Sequence, residues 1–205
     1  MIKIYYKKRF ISLSFDQKTN QNAETQSINI SDISDIKIKI NRFVANNNIK
    51  HLNIYGTDPK RALVFIKHAY RVIIAGGGLV NNPDGRYMFI VRHKKIDLPK
   101  GKAENKESNE ACALREVSEE CNMSRENLTI TGKLGITYHM YKLKGKMVLK
   151  ENHWFTMLYT GNSDCIKPQT EEDIEQCMWV DKTDIPALVQ NAYPSVKDMV
   201  NKHQY

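Results

Sequence analysis

At 205 residues, with 41% hydrophobic and 26% charged side chains, the chain is long enough to bury a sizeable core. It has the composition of an ordinary soluble globular protein, either one domain with embellishments or two small ones. No run approaches the ~18 apolar residues of a membrane helix, and MIKIYYKKRF has neither the apolar segment nor the cleavage site of a secretory signal. The net charge of +8 leaves two readings open: a polyanionic partner (nucleotide, polyphosphate or nucleic acid), or scattered lysines that serve solubility.

Residues 1–15 alternate weakly and are rich in Ile, Tyr and Phe, which predicts one strand or a hairpin. Residues 16–28 are polar and aperiodic and read as a loop. After Ser31, the spacing of Ile40, Phe43 and Val44 favours a helix ending at Asn46–Asn48. His51–Gly56 reads as a short strand. Asp58-Pro59 is a helix start, with Ala62, Leu63, Phe65, Ile66 and Ala69 at helical spacing behind it. Residues 1–69 therefore read as a small α/β extension without a defensible catalytic cluster. A packing extension is the simplest role for it, and a substrate-side lid or a homodimer surface are the functional ones.

From Tyr70 the pattern changes. RVIIAGGGLVNN is a strand run containing three glycines, which suit a close backbone approach within a sheet better than a dinucleotide fingerprint. Asn82-Pro83-Asp84-Gly85 is a turn, and RYMFIVRH is the strand after it. Beyond a central helix, Leu128–Leu134, Ile136–Leu143, Lys150–Thr160 and Glu175–Val180 read as strands, with Lys144-Gly145-Lys146 as a hairpin turn. Short helices open at Asp184-Ile185-Pro186 and at Pro194. The order predicts an α/β fold with a mixed sheet. Cys112, Cys121, Cys165 and Cys177 form no C-x-x-C pair, so a zinc site is not expected and a reducing cytoplasm is.

The central stretch LPKGKAENKESNEACALREVSEECNM poses an electrostatic problem. Glu116, Glu119 and Glu120 lie at i, i+3 and i+4 and share one helical face, where like charges repel unless a cation sits among them. A hard divalent cation with oxygen ligands answers that need. Leu114, Val117 and Cys121 should form the buried face, which makes Cys121 a core residue and not a nucleophile.

Counting outward from Gly101, the stretch resembles the Nudix hydrolase box, G-x5-E-x7-R-E-U-x-E-E-x-G-U with U aliphatic. Gly101, Glu107, Arg115, Glu116, Val117, Glu119, Glu120 and Met123 fall in place, and Asn122 replaces the last Gly. That Gly lies just past the helix end, where Asn is the commonest substitute able to adopt a left-handed conformation. The resemblance implies a Nudix fold, a mixed β-sheet sandwiched between helices, over residues 70–205. It also implies Mg2+, or Mn2+ in its place, held by Glu116, Glu119, Glu120 and the Gly101 carbonyl, with Arg115 and Glu107 as braces. The general base is either a helix Glu or one from Glu171, Glu172 and Glu175, of which Glu172 is the choice. LPKGK, Lys150-Glu151-Asn152-His153-Trp154-Phe155 and Pro168-Gln169-Thr170-Glu171-Glu172 resemble the branch acting on dinucleoside polyphosphates and diphosphoinositol polyphosphates. Lys100, Lys102, Arg92, Lys150 and His153 are then the phosphate contacts. A polyphosphorylated small molecule is the expected partner, and neither a membrane nor nucleic acid is. Removal of pyrophosphate from RNA 5′ ends and nucleotide sensing without turnover are the competing readings.

Overall fold

A computed structural model describes residues 1–16 and 24–203, and these form two compact units. The first comprises Met1–Ile73 and Tyr138–Lys150, the second Ile74–Thr137 and Glu151–Tyr205. Two long strands, β9 (Leu128–Leu143) and β10 (Lys146–Tyr159), contribute to both.

In the first unit, β1 (Ile2–Tyr6) and β2 (Arg9–Leu13) form an antiparallel hairpin, in register from Ile2↔Leu13 to Tyr6↔Arg9. β3 (Thr25–Asn29) and β4 (His51–Tyr55) add parallel pairing, and the order is β9-β1-β2-β4-β3. The strand β3 corrects the loop expected over 16–28, of which residues 17–23 lie outside the described residues. TQSIN carries little apolar signal because β3 is the edge of this sheet and holds on mainly through its backbone pairing with β4. Helices α1 (Ile36–Ala45) and α2 (Pro59–Ala69) bury Ile36, Ile40, Phe43, Ala62, Leu63 and Ile66 in one core with Ile4, Ile11, Leu52 and Ile54. Asp58 caps α2 by accepting from the Lys60 and Arg61 amides at 2.6 and 3.2 Å.

Arg9 ties this unit together. It is buried, with its guanidinium 4.5 Å from the Phe43 ring centroid. Nη1 donates to the carbonyls of Phe43, Asn46 and Ile49 at 2.9, 2.6 and 3.1 Å, and Nη2 donates to Val44 O at 3.2 Å. Carbonyls at a helix C-terminus have no intrahelical partner, and a cation there also meets the negative end of the dipole. Arg9→Ala is expected to cost about 3 kcal/mol in urea denaturation, since it strips several carbonyls of one charged donor. A loss under about 1 kcal/mol would show that water replaces the guanidinium.

In the second unit the order is β11-β6-β5-β10-β9, built from β5 (Arg71–Asn81), β6 (Tyr87–Arg92) and β11 (Ile174–Val180), with short β7 (Lys95–Asp97) on β6 and β8 (Lys100–Lys102) on β5. Strand residues alternate between two cores. Val80, Met88, Ile90, Phe155 and Met157 face α3 (Asn109–Cys121), whereas Leu79, Tyr87, Phe89 and Trp154 face α4 (Ile185–Leu188) and α5 (Pro194–His203). The sheet is thus covered by helices on both faces, an α/β fold. Where two strands were expected over 128–134 and 136–143, one runs through; Gly135, at φ 147°, is accommodated within it and does not end it. Among the described residues no helix is long and apolar enough to cross a membrane.

Candidate active site

The site rests on the glycines of β5. A Cβ on Gly76 would lie 2.6 Å from Ala113 N and 2.8 Å from Asn109 O, so α3 lies directly on the strand backbone. On the same strand, β8 pairs Gly101 with Gly76 and Lys100 with Gly77. One strand therefore positions both the helix with the carboxylates and the segment with Gly101. Helix α3 starts at Ser108, whose hydroxyl accepts from Ala111 N at 3.1 Å. It ends at Asn122 in the left-handed region (φ 52°, ψ 42°), with Met123 N donating to Ser118 O and Asn122 N to Glu119 O, a Schellman pattern. The buried stripe is Ala113, Val117 and Cys121, and Leu114 is only partly covered. This corrects the expected face by one residue, because close seating on Gly76 favours the small side chain.

Arg115 supplies the cation that the acidic face lacked in the sequence. Its Nε and Nη2 form a two-pronged pair with Glu107, both at 2.9 Å, and Nη2 also donates to Lys102 O at 3.0 Å. Nη1 reaches Glu116 at 2.9 Å and Glu119 at 3.0 Å. Hydrogen bonding to Arg115 pulls Glu107 down to about 2, and Arg115 itself is held above its ordinary value chiefly by Glu107. Glu107 precedes the helix cap and is not a first-turn residue; it also accepts from Glu104 N at 2.9 Å.

Glu116 and Glu120 both reach the Lys100–Gly101 backbone. A Cβ on Gly101 would lie 1.8 Å from Glu116 Oε2, so only glycine leaves room for that carboxylate. Glu120, 1% exposed, accepts from Lys100 N at 2.8 Å. Burial raises it to about 7, against the lowering by Lys100 and Arg92. Burial also raises Glu116, against the lowering by Arg115. Arg92 stands between carboxylates, with Nη1 3.5 Å from Glu120 and Nη2 3.3 Å from Glu172. Glu172 is half exposed, and its charge adds to the upward shift of Glu116.

Of the remaining expected residues, Lys102 is exposed and Lys150 belongs to the first unit. His153 is mostly buried, with Nε2 3.1 Å from Glu151 and Nδ1 3.3 Å from Asn109 Nδ2. Glu171 is exposed, and Glu175 accepts from Lys94 N at 3.0 Å. Two buried carboxylates escaped the sequence reading. Asp97 accepts from Leu98 N and places Oδ2 2.7 Å from Lys100 Nζ, an ion pair outside hydrogen-bond angles, which anchors the segment before Gly101. Glu151 shares a strand face with His153. The spacings Asp-x-x-Lys and Glu-x-His were the available signals. Cys121 is fully buried, and its hydrogen bond to Cys177, together with burial, raises its thiol; it has the place of a core residue.

The donor set on α3 is all oxygen and suits a hard cation, and the Gly101 cradle opens the Lys100–Gly101 backbone to two of its carboxylates. Among the described residues, no three Asp, Glu, His or Cys groups already stand together as a metal cluster. Glu116 and Glu119 are turned onto Arg115, and Glu120 onto the Lys100 amide and Arg92.

Similar folds occur among solved structures. The Ap4A hydrolase of C. elegans, in a binary complex, superposes with a TM-score of 0.50 at 20% identity, over 63% of this chain and 93% of that one. A MutT protein from Methanosarcina mazei gives 0.49 at 20% identity, over 64% and 91%. No curated protein matches the chain. Residues 73–200 match the NUDIX domain model, and with well over half of its length inside that match the chain belongs to the Nudix family of pyrophosphohydrolases.

Proposed function

We propose that the chain hydrolyses a phosphoanhydride bond in a polyphosphorylated small molecule, with dinucleoside polyphosphates as the favoured class and Mg2+ (or Mn2+ in its place) as cofactor. The observation that carries this reading is the approach of two buried-to-half-buried carboxylates, Glu116 and Glu120, to the Lys100–Gly101 backbone, with Glu119 on the same helical face. Glu116, Glu119, Glu120 and the Gly101 carbonyl hold the cation. When bound, it neutralises phosphate charge and lowers the pKa of a coordinated water. Arg115 orients Glu116 and Glu119 while its pair with Glu107 fixes the guanidinium. Glu172, tethered through Arg92, is half exposed and free to take a proton from water, which makes it the base in this reading. Arg92 and Lys102 meet the phosphate chain, whereas Lys100, its ammonium buried against Asp97, holds the Gly101 segment in place; the LPKGK sequence supports the dinucleoside polyphosphate class.

A panel of dinucleoside tetraphosphate, ADP-ribose, nucleoside triphosphates, 5′-triphosphorylated RNA and diphosphoinositol phosphates, with products resolved, tests the proposal. The expected outcome is the highest kcat/KM on dinucleoside tetraphosphate, and none in EDTA. Preference for triphosphorylated RNA would move the assignment to RNA 5′ ends. Tight binding without turnover of any member would replace the enzyme by a sensor.

A further inference from the structure

Charge is divided unevenly along this chain. The first unit has 17 Lys and Arg against 5 Asp and Glu, a formal +12, and the second has 14 against 18, a formal −4. Within the first unit lies a cavity of about 820 Å³, lined by α1, the α2–β5 junction and the β9–β10 turn. That volume falls within the range of small-molecule sites, roughly 300–1,000 Å³. Its rim is cationic: Lys37, Arg71, Lys144 and Lys146 all line it, and no Asp or Glu does. Its wall is apolar and set: partly exposed Ala69 and Met147 line it, and the Tyr70 hydroxyl donates to Asn41 at 3.2 Å.

Four like charges around one concavity repel one another, and among the described residues no carboxylate ion-pairs with Lys37, Arg71, Lys144 or Lys146. An anion relieves that repulsion, and its affinity gains from every cation at once. The wall argues that the anion carries an apolar part, since a bare phosphate chain would leave Ala69 and Met147 facing water. We propose that this cavity is a second ligand site, separate from the α3 carboxylates, that takes an organic phosphate of nucleotide type. The phosphates lie on Lys37, Arg71, Lys144 and Lys146, and the flat apolar moiety lies against Ala69 and Met147. A compact cavity, as opposed to an extended basic stripe, favours a small molecule over a nucleic acid strand.

The test is calorimetric titration of the full chain with ATP in EDTA, which withholds divalent cations from the α3 carboxylates. ATP is expected to bind, and Arg71→Glu/Lys146→Glu to weaken it by about tenfold or more, the effect of two charge reversals at short range. Lys60→Glu/Arg61→Glu makes the same charge change in the same unit on exposed residues that do not line the cavity, and should alter affinity by no more than about twofold at moderate salt. Tripolyphosphate should bind more weakly than ATP. Each variant is checked for an unchanged circular dichroism spectrum. Absence of ATP binding, equal losses in the two double variants, tripolyphosphate binding as tightly as ATP, or a single-stranded RNA that outcompetes ATP for the same residues would each overturn the proposal.

Discussion

Glu120→Gln is expected to lower kcat on the preferred substrate by about a thousandfold or more, while making the metal-free protein more stable at neutral pH. The first effect follows from removing an anionic ligand from the proposed cation site. The second follows from burial. Glu120 is raised to about 7 from the ordinary carboxylate value, so between roughly pH 4.5 and 7 the folded state holds a proton that the unfolded state has released. Stability of the metal-free protein therefore falls as pH rises through that window, by up to about 3 kcal/mol in all. Glutamine carries no charge to desolvate and keeps an oxygen for the Lys100 amide, so the variant should lack the decline. Urea denaturation at pH 5 and pH 7.5 in EDTA separates the two proteins. A variant that keeps most of its activity, or shows the same pH slope as the parent, would falsify the placement of Glu120 in both roles.

Gly76→Ala should have the largest structural effect. The new methyl would meet Ala113 N at 2.6 Å, Asn109 O at 2.8 Å and Ala113 Cα at 3.0 Å. All three atoms belong to helix backbone, which cannot swing aside as a side-chain tip can. Helix α3 must lift from β5, carrying its carboxylates away from Lys100–Gly101. A loss of about 3–5 kcal/mol and activity below about 1% are expected. Gly85→Ala is the control. Its φ of 79° imposes about 1 kcal/mol of strain, but no atom lies within 4 Å of the added methyl, so activity should persist. Comparable behaviour of the two variants would mean that α3 does not depend on close seating.

The sequence revealed what is local. Carboxylates at i, i+3 and i+4 share a face in any α-helix, and Asn122 takes the left-handed conformation that a helix stop needs. Apolar runs bounded by turn residues identified most strands of the second unit, because both faces of its sheet are covered. What escaped depends on contacts distant in the chain. The box spacing marked Arg115 and Glu107 as braces but not their pairing with each other or the reach of Arg115 to the Lys102 carbonyl, and nothing in the spacing announces that Arg92 bridges Glu120 and Glu172. The buried face of α3 was misjudged by one position because Leu114 outweighs Ala113 in apolarity, whereas a backbone pressed against glycine rewards the smaller residue. Polar β3 was missed because an edge strand needs backbone pairing more than apolar side chains.

The contacts of Arg115 have a consequence for how the proposed cation site would fill. A site that depended on a cation to offset its own repulsion would be disordered or degraded whenever metal ran short. Here a guanidinium already pairs with Glu107, Glu116 and Glu119, so the chain can fold before any cation arrives. A cation bound by Glu116 and Glu119 must then compete with a partner built into the same helix. Occupancy would track the supply of free metal, and the protein would outlast scarcity intact, in reserve.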